Sequence, residues 1–347
     1  MIDREPASLT GRARTPVFVV GAPRSGTTLL RVILNRHPRL AMLGLESHFF
    51  RRVYNRRAAF GDPGDPSNRE RVVSAYLAME PVRRLKTDVN FLHERMMRHG
   101  VTWPALFESM LQAWADLQGK PYAGEKTPLH CLHAKTLCEW FPQGSVIHLV
   151  RDPRSMVGAL RRMPWASHSA YMGARMWRLL NAAARTASVH PNYLLVKYED
   201  FVTRPEEQLR RLCDYVGLEY DDAMLRPDPA EVSTRPEHRR SYEGVTPGRI
   251  DLWREELKPW QVSAVEAAAG QGMEEYGYRR EANETVFIDR ARAGAEAMIE
   301  NSFQLVIRSP RFFYGLFQPT NLAGEEKWIA RFMEISGRLR AGRSSGS

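Results

Sequence analysis

The sequence predicts an α/β protein with a doubly wound parallel sheet, and three observations carry that expectation. A β-branched run, Val17-Phe18-Val19-Val20, empties into the loop Gly21-Ala22-Pro23-Arg24-Ser25-Gly26-Thr27-Thr28. A second short apolar run, Ser145 to Val150, is of the kind buried on both faces of a parallel sheet, and it stops abruptly at Arg151-Asp152-Pro153-Arg154. Between and after these runs lie stretches with helical periodicity, which is the alternation that builds such sheets.

The elements follow in order. After the first strand, residues 26–36 read as a helix, because Leu29, Leu30, Ile33 and Leu34 share one face and His37-Pro38 closes it. The loop before it keeps the skeleton of a phosphate-binding loop, with two glycines five residues apart and a hydroxyl residue two places beyond the second. Thr27 stands where an ATPase or GTPase loop has its lysine, which argues against triphosphate hydrolysis and leaves the anion cradle intact. Free N–H groups, the helix dipole, the Arg24 fork and the hydroxyls of Ser25, Thr27 and Thr28 all suit an oxyanion. Arg51 to Arg71, with Gly61-Asp62-Pro63-Gly64-Asp65-Pro66 at its middle, reads as a charged loop, either an acceptor-facing lid or plain surface. Residues 91–118 read as a long helical region, and 205–216 and 259–270 as amphipathic helices. Arg151, after the second strand, is expected on the same sheet rim as the first loop, a second cation for a ligand with a second anionic group.

Composition bounds the function. The 347 residues suffice for one large domain with an appendage, and the net charge of +10 suits a polyanionic ligand. Nucleic acid is disfavoured, since the arginines are dispersed and no zinc module, RNA-binding signature or basic heptad region occurs. Cys131, Cys138 and Cys213 are an odd, sparse set that fits a reducing compartment, and the His130, Cys131, His133, Cys138 spacing matches no zinc pattern. Residues 1–15 carry no apolar signal core, and no stretch approaches the length of a membrane span.

Gly-Ala-Pro-Arg-Ser-Gly-Thr-Thr after a first strand, Arg-Asp-Pro-Arg after a later one and Tyr198-Glu199-Asp200 closing a third resemble the sulfotransferases that use 3′-phosphoadenosine 5′-phosphosulfate (PAPS). The motifs are most similar to those of the tyrosylprotein, carbohydrate and bacterial branches, and the match runs over roughly 16–278. The resemblance implies a P-loop-like sulfotransferase domain over 15–280. It assigns Arg24, Ser25, Gly26, Thr27 and Thr28 to the 5′-phosphosulfate, Arg151 to the 3′-phosphate and Tyr198 to a place beside the nucleotide. The family serine eight residues after the arginine is Ala159 here, with Ser155 one helical turn earlier as a substitute. Leu252 stands where the tyrosylprotein branch has a lysine before tryptophan, and Arg249 is the replacement cation.

Sulfuryl transfer to a hydroxyl is an in-line displacement that needs a base and a cation for the leaving group. The resemblance points to Glu46 as base, one residue further from His37-Pro38 than in the family, with His48 as the competing base. It points to Lys126, in Gly-Glu-Lys-Thr-Pro, for the leaving group, and the scheme requires no metal. The acceptor is a hydroxyl, with carbohydrate, lipid, glycolipid, small metabolite and peptide all open, foremost a carbohydrate, a lipid or a small metabolite; the released product is adenosine 3′,5′-bisphosphate, and the setting cytoplasmic and bacterial. The rival readings are a non-catalytic nucleotide-binding protein and a small-molecule kinase with a degenerate loop. Residues 281–347, rich in Phe, Ile and Leu, read as a helical extension, either an appendage on the catalytic domain, a homodimer contact or a peripheral membrane contact.

Overall fold

The computed structural model describes residues 13–83, 85, 87–163, 166, 169–227, 236–281 and 294–295. All but a few residues of the expected C-terminal extension, 281–347, lie outside that set. By its contacts the chain divides into two compact units.

The first unit comprises residues 1–21, 26–150 and 183–247 and contains the sheet. Its five strands are β1 (Val17–Val20), β2 (Leu40–Met42), β3 (Tyr122–Lys126), β4 (Ser145–Val150) and β5 (Tyr193–Lys197). They lie in the order β2-β3-β1-β4-β5, and every pairing is parallel. β1 is wholly buried, which explains its unbroken apolar run. The chain leaves β1 towards β2 on one side and leaves β4 towards β5 on the other. The carboxyl ends of β1 and β4 therefore form the topological switch at which open α/β sheets collect ligands. Helix α1 (Thr27–Arg36) follows β1, and its Leu29, Leu30, Ile33 and Leu34 are buried as their spacing predicts. Phe18 on β1 anchors an aromatic core, with Phe107 and Phe141 at 5.6 and 5.0 Å between ring centres, and Phe49 stacks on Phe107 at 4.3 Å.

The second unit comprises, of the described residues, 22–25, those within 151–182, 248–281 and 294–295. Its Pro153–Arg161 helix packs against the Pro259–Ala269 helix.

Two sequence expectations need correction. The region 91–118 is two helices, Val89–His99 and Trp103–Leu117. Gly100 ends the first and Thr102 caps the second, accepting from the Ala105 N–H. The expected Arg51 to Arg71 loop is mostly short helical turns, and a helix runs from Pro66 to Leu77. Asp65 caps that helix and Pro66 occupies its first position, so the Asp-Pro pair read as turn chemistry is a helix start.

Candidate active site

The loop after β1 needs both of its glycines. A side chain at Gly21 would sit 2.4 Å from the Leu149 carbonyl oxygen, and one at Gly26 would sit 2.4 Å from the Tyr198 ring. Gly26 also has φ 96°, in the left-handed region. Tyr198, buried directly after β5, thus packs against Gly26 of this loop. No side chain caps α1 and no acidic residue occupies its first turn, so its leading N–H groups are available to an anion. Within the loop, Ser25 N–H donates to the Ala22 carbonyl at 3.1 Å. Arg24 holds φ 70°, a left-handed conformation that a non-glycine residue adopts at a cost. The Ser25 hydroxyl oxygen is fully buried and has no hydrogen-bond partner within the described protein. A buried hydroxyl without a partner fits an oxyanion ligand.

Lys126 ends β3, and Glu46 lies four residues beyond the end of the neighbouring strand β2. β2 and β3 run parallel, and Leu43 N–H extends their pairing by donating to the Gly124 carbonyl at 2.7 Å. The chain then carries Glu46 to a point where Lys126 Nζ donates to its Oε1 at 2.6 Å. Lys126 is 4% exposed, so it is no solvated surface lysine. Burial works against the charge on Glu46, but Lys126, by attraction and hydrogen bond, and His48 together hold its pKa down to about 2. His48 Nε2 lies 3.5 Å from Glu46 Oε2. Burial lowers the His48 pKa to about 4; Glu46 opposes that and Arg51 reinforces it, so the imidazole is neutral at neutral pH. Both candidate bases therefore stand in one cluster with the candidate cation.

In the second unit Arg151 is buried and bridges two backbone segments. Its Nη1 donates to the Arg24 carbonyl at 3.2 Å and its Nη2 to the Arg249 carbonyl at 2.7 Å. Ser155 Oγ donates to the Ile250 carbonyl at 2.5 Å. Arg151 and Ser155 thus share one strap, residues 249–250, and Arg249 contributes its backbone to that strap.

Sequence reading missed what the rest of Arg-Asp-Pro-Arg does. Asp152 caps the Pro153–Arg161 helix, accepting from the Arg154 N–H, and Pro153 takes its first position. The Arg154 guanidinium lies buried, 2.6 Å from Asp152, 2.9 Å from Glu266 and 4.3 Å from the Trp253 ring centre. Arg154→Met is expected to destabilise the protein by about 3–5 kcal/mol, because it strands two buried carboxylates. Urea unfolding of the two proteins measures it, and a loss under about 1 kcal/mol would show that the carboxylates find other partners.

The profile of the sulfotransferase family matches residues 16–222. The chain belongs to the sulfotransferase family. Among curated relatives it is similar to protein-tyrosine sulfotransferase A of Caenorhabditis elegans, at 27% identity over 68% of this chain and 59% of the relative. It is also similar to nodulation protein NoeE of Sinorhizobium fredii, at 24% identity over 80% of this chain and 70% of that one. The chain spans 59% and 47% of the length of two tyrosine-sulfotransferase relatives, from the nematode and from Drosophila melanogaster. Among solved structures, the sulfotransferase domain of the Synechococcus PCC 7002 olefin synthase shares the fold, with a TM-score of 0.55 and 22% identity over 80% of this sulfotransferase-family chain and 99% of that domain. The expected α/β architecture is therefore the family's own. No helix among the described residues is long and apolar enough to cross a membrane.

Proposed function

We propose that this sulfotransferase-family chain moves a sulfuryl group from PAPS to a hydroxyl, with Glu46 as general base. The observation that supports the reading is the 2.6 Å pair of Glu46 and Lys126, a base and a leaving-group cation brought together by the segment after β2 and the end of β3. The acceptor oxygen bonds to sulfur as the bond from sulfur to the bridging phosphate oxygen breaks. Glu46 takes the acceptor's proton, and Lys126 meets the negative charge that grows on the departing phosphate. The loop from Arg24 to Thr28 holds the 5′-phosphosulfate and Arg151 reads the 3′-phosphate, with Ser155, Tyr198 and Arg249 completing the nucleotide's surroundings. His48, neutral beside Glu46, orients that carboxylate.

The acceptor class is a hydroxyl on a carbohydrate, a lipid or a small metabolite, and the names of the tyrosine-sulfotransferase relatives add a tyrosine hydroxyl to it. Buried cysteines without disulfides suit a reducing compartment such as the cytoplasm.

Calorimetry tests the donor assignment. Adenosine 3′,5′-bisphosphate is expected to bind about ten- to a hundredfold more tightly than AMP, since a charge-assisted contact to the 3′-phosphate contributes about 1.5–3 kcal/mol. Equal affinities would remove Arg151 from that role. Transfer of labelled sulfate from PAPS to a metabolite extract and to a tyrosine peptide, read by mass spectrometry, tests the reaction, and the absence of any labelled product would count against catalysis.

A further inference from the structure

Behind the Glu46 and Lys126 pair lies a second polar cluster that the reaction scheme does not use. Glu125, Thr127, Ser47 and His130 are each no more than 2% exposed. Thr127 Oγ1 donates to Glu125 Oε2 at 2.7 Å and lies 3.5 Å from Ser47 Oγ, and His130 Nδ1 lies 2.6 Å from Glu125 Oε1. Phe50 and Phe107 meet the His130 ring edge to face at 5.0 and 6.0 Å, which fixes its orientation.

Strand alternation explains the placement. In Glu125-Lys126-Thr127 the outer two side chains share one side of the chain and Lys126 takes the other. Ser47 lies between Glu46 and His48 in the irregular segment after β2, and there the contacts rather than strand parity place it: its Oγ is 3.5 Å from Thr127 Oγ1, while His48 Nε2 is 3.5 Å from Glu46 Oε2. Lys126 and Glu46 are thus each flanked in sequence by a member of this cluster, and those members contact one another. A buried carboxylate with nothing to hold would be costly, so its retention at this point calls for a role. Burial would raise the Glu125 pKa, but His130 and the hydroxyls of Ser47 and Thr127 hold it below the ordinary glutamate value. The carboxylate is therefore a charged acceptor able to grip both hydroxyls at once.

We propose that Glu125, braced by His130, is a positioning residue that ties the Ser47 and Thr127 backbones together and so sets Glu46 against Lys126. This rests on the sulfuryl-transfer reading for its kinetic consequence but not for its geometry. Glu46 is faced by Lys126 from β3, by His48 from its own segment and by His238 from the 236–241 turn, and Arg31 and Glu125 act on Lys126.

Thr127→Val tests the link, because it keeps the shape and deletes the hydroxyl, and Thr127→Ser restores it. In Thr127→Val, kcat is expected to fall about ten- to a hundredfold, as for a base displaced by a fraction of an ångström, with KM for PAPS and the Kd for adenosine 3′,5′-bisphosphate within about threefold of wild type. Thr127→Ser should stay near wild type. In glutamate-¹³C-labelled protein, the Glu46 carboxyl signal, assigned by its loss in Glu46→Gln, should begin to protonate about one pH unit higher in Thr127→Val than in wild type or Thr127→Ser. That titration needs no turnover, so it decides the positioning claim even if the wild type proves inactive with every acceptor. An unmoved Glu46 titration, or equal losses of melting temperature and nucleotide binding in both variants, would overturn it.

Discussion

Glu46→Gln is expected to abolish sulfuryl transfer while sparing the binding of adenosine 3′,5′-bisphosphate. Glutamine keeps the shape and still accepts a hydrogen bond from Lys126 Nζ, which lies 2.6 Å from the carboxylate in the wild type. It cannot take the acceptor's proton at neutral pH, so the loss falls on kcat, by about a hundred- to ten-thousandfold. Nucleotide affinity should stay within about threefold, because Glu46 is assigned to the acceptor. The decisive contrast is His48→Ala in the same assay. His48 lies 3.5 Å from Glu46, and its pKa of about 4 leaves the ring neutral, as a base must be. An inactive His48→Ala beside an active Glu46→Gln would transfer the role to the histidine.

Lys126→Ala carries the second large effect. The ammonium is buried and is the nearest cation to Glu46, so its loss removes the charge that would meet the departing phosphate. A fall in kcat of about a hundred- to a thousandfold is expected, the range seen when one preorganised transition-state donor is deleted. A second change accompanies it. Without Lys126 the Glu46 carboxylate loses its main stabilising partner, and its pKa should climb from about 2 towards or beyond the ordinary 4.5. Lys126→Arg should recover only part of the rate, because a planar fork does not reproduce a compact point charge. Steady-state kinetics with PAPS decide the matter, and a change under about threefold in Lys126→Ala would assign the lysine a purely structural role.

Much of the fold was legible because its signals are local. A short apolar run bounded by turn residues suits a strand buried on both faces, and β1 and β4 occupy the residues their sequence marked. The loop was legible because glycine spacing and hydroxyl content report backbone geometry directly. The pairing of Glu46 with Lys126 was not, since 80 residues separate them and only the β2–β3 register brings them together. Glu125 escaped for a different reason. Flanking a lysine of evident interest, it looked like an ordinary charged neighbour, although its parity with Thr127 marked it as facing away from Lys126. Asp65-Pro66 misled because the same residue pair that begins a turn also begins a helix, and only the following twelve residues distinguish the two.

The bond between Glu46 and Lys126 also implies a timing. Paired with Lys126, the carboxylate proposed to accept the proton is held at a pKa of about 2, and so paired it is a feeble base. On the proposed reading, sulfuryl oxygens compete for the same ammonium. As Lys126 turns towards them, Glu46 regains its proton affinity. Activation of the nucleophile is thereby made contingent on arrival of the electrophile, so a hydroxyl that enters early meets a base still switched off and waits. On that reading one ion pair would act as an interlock between the two halves of the reaction.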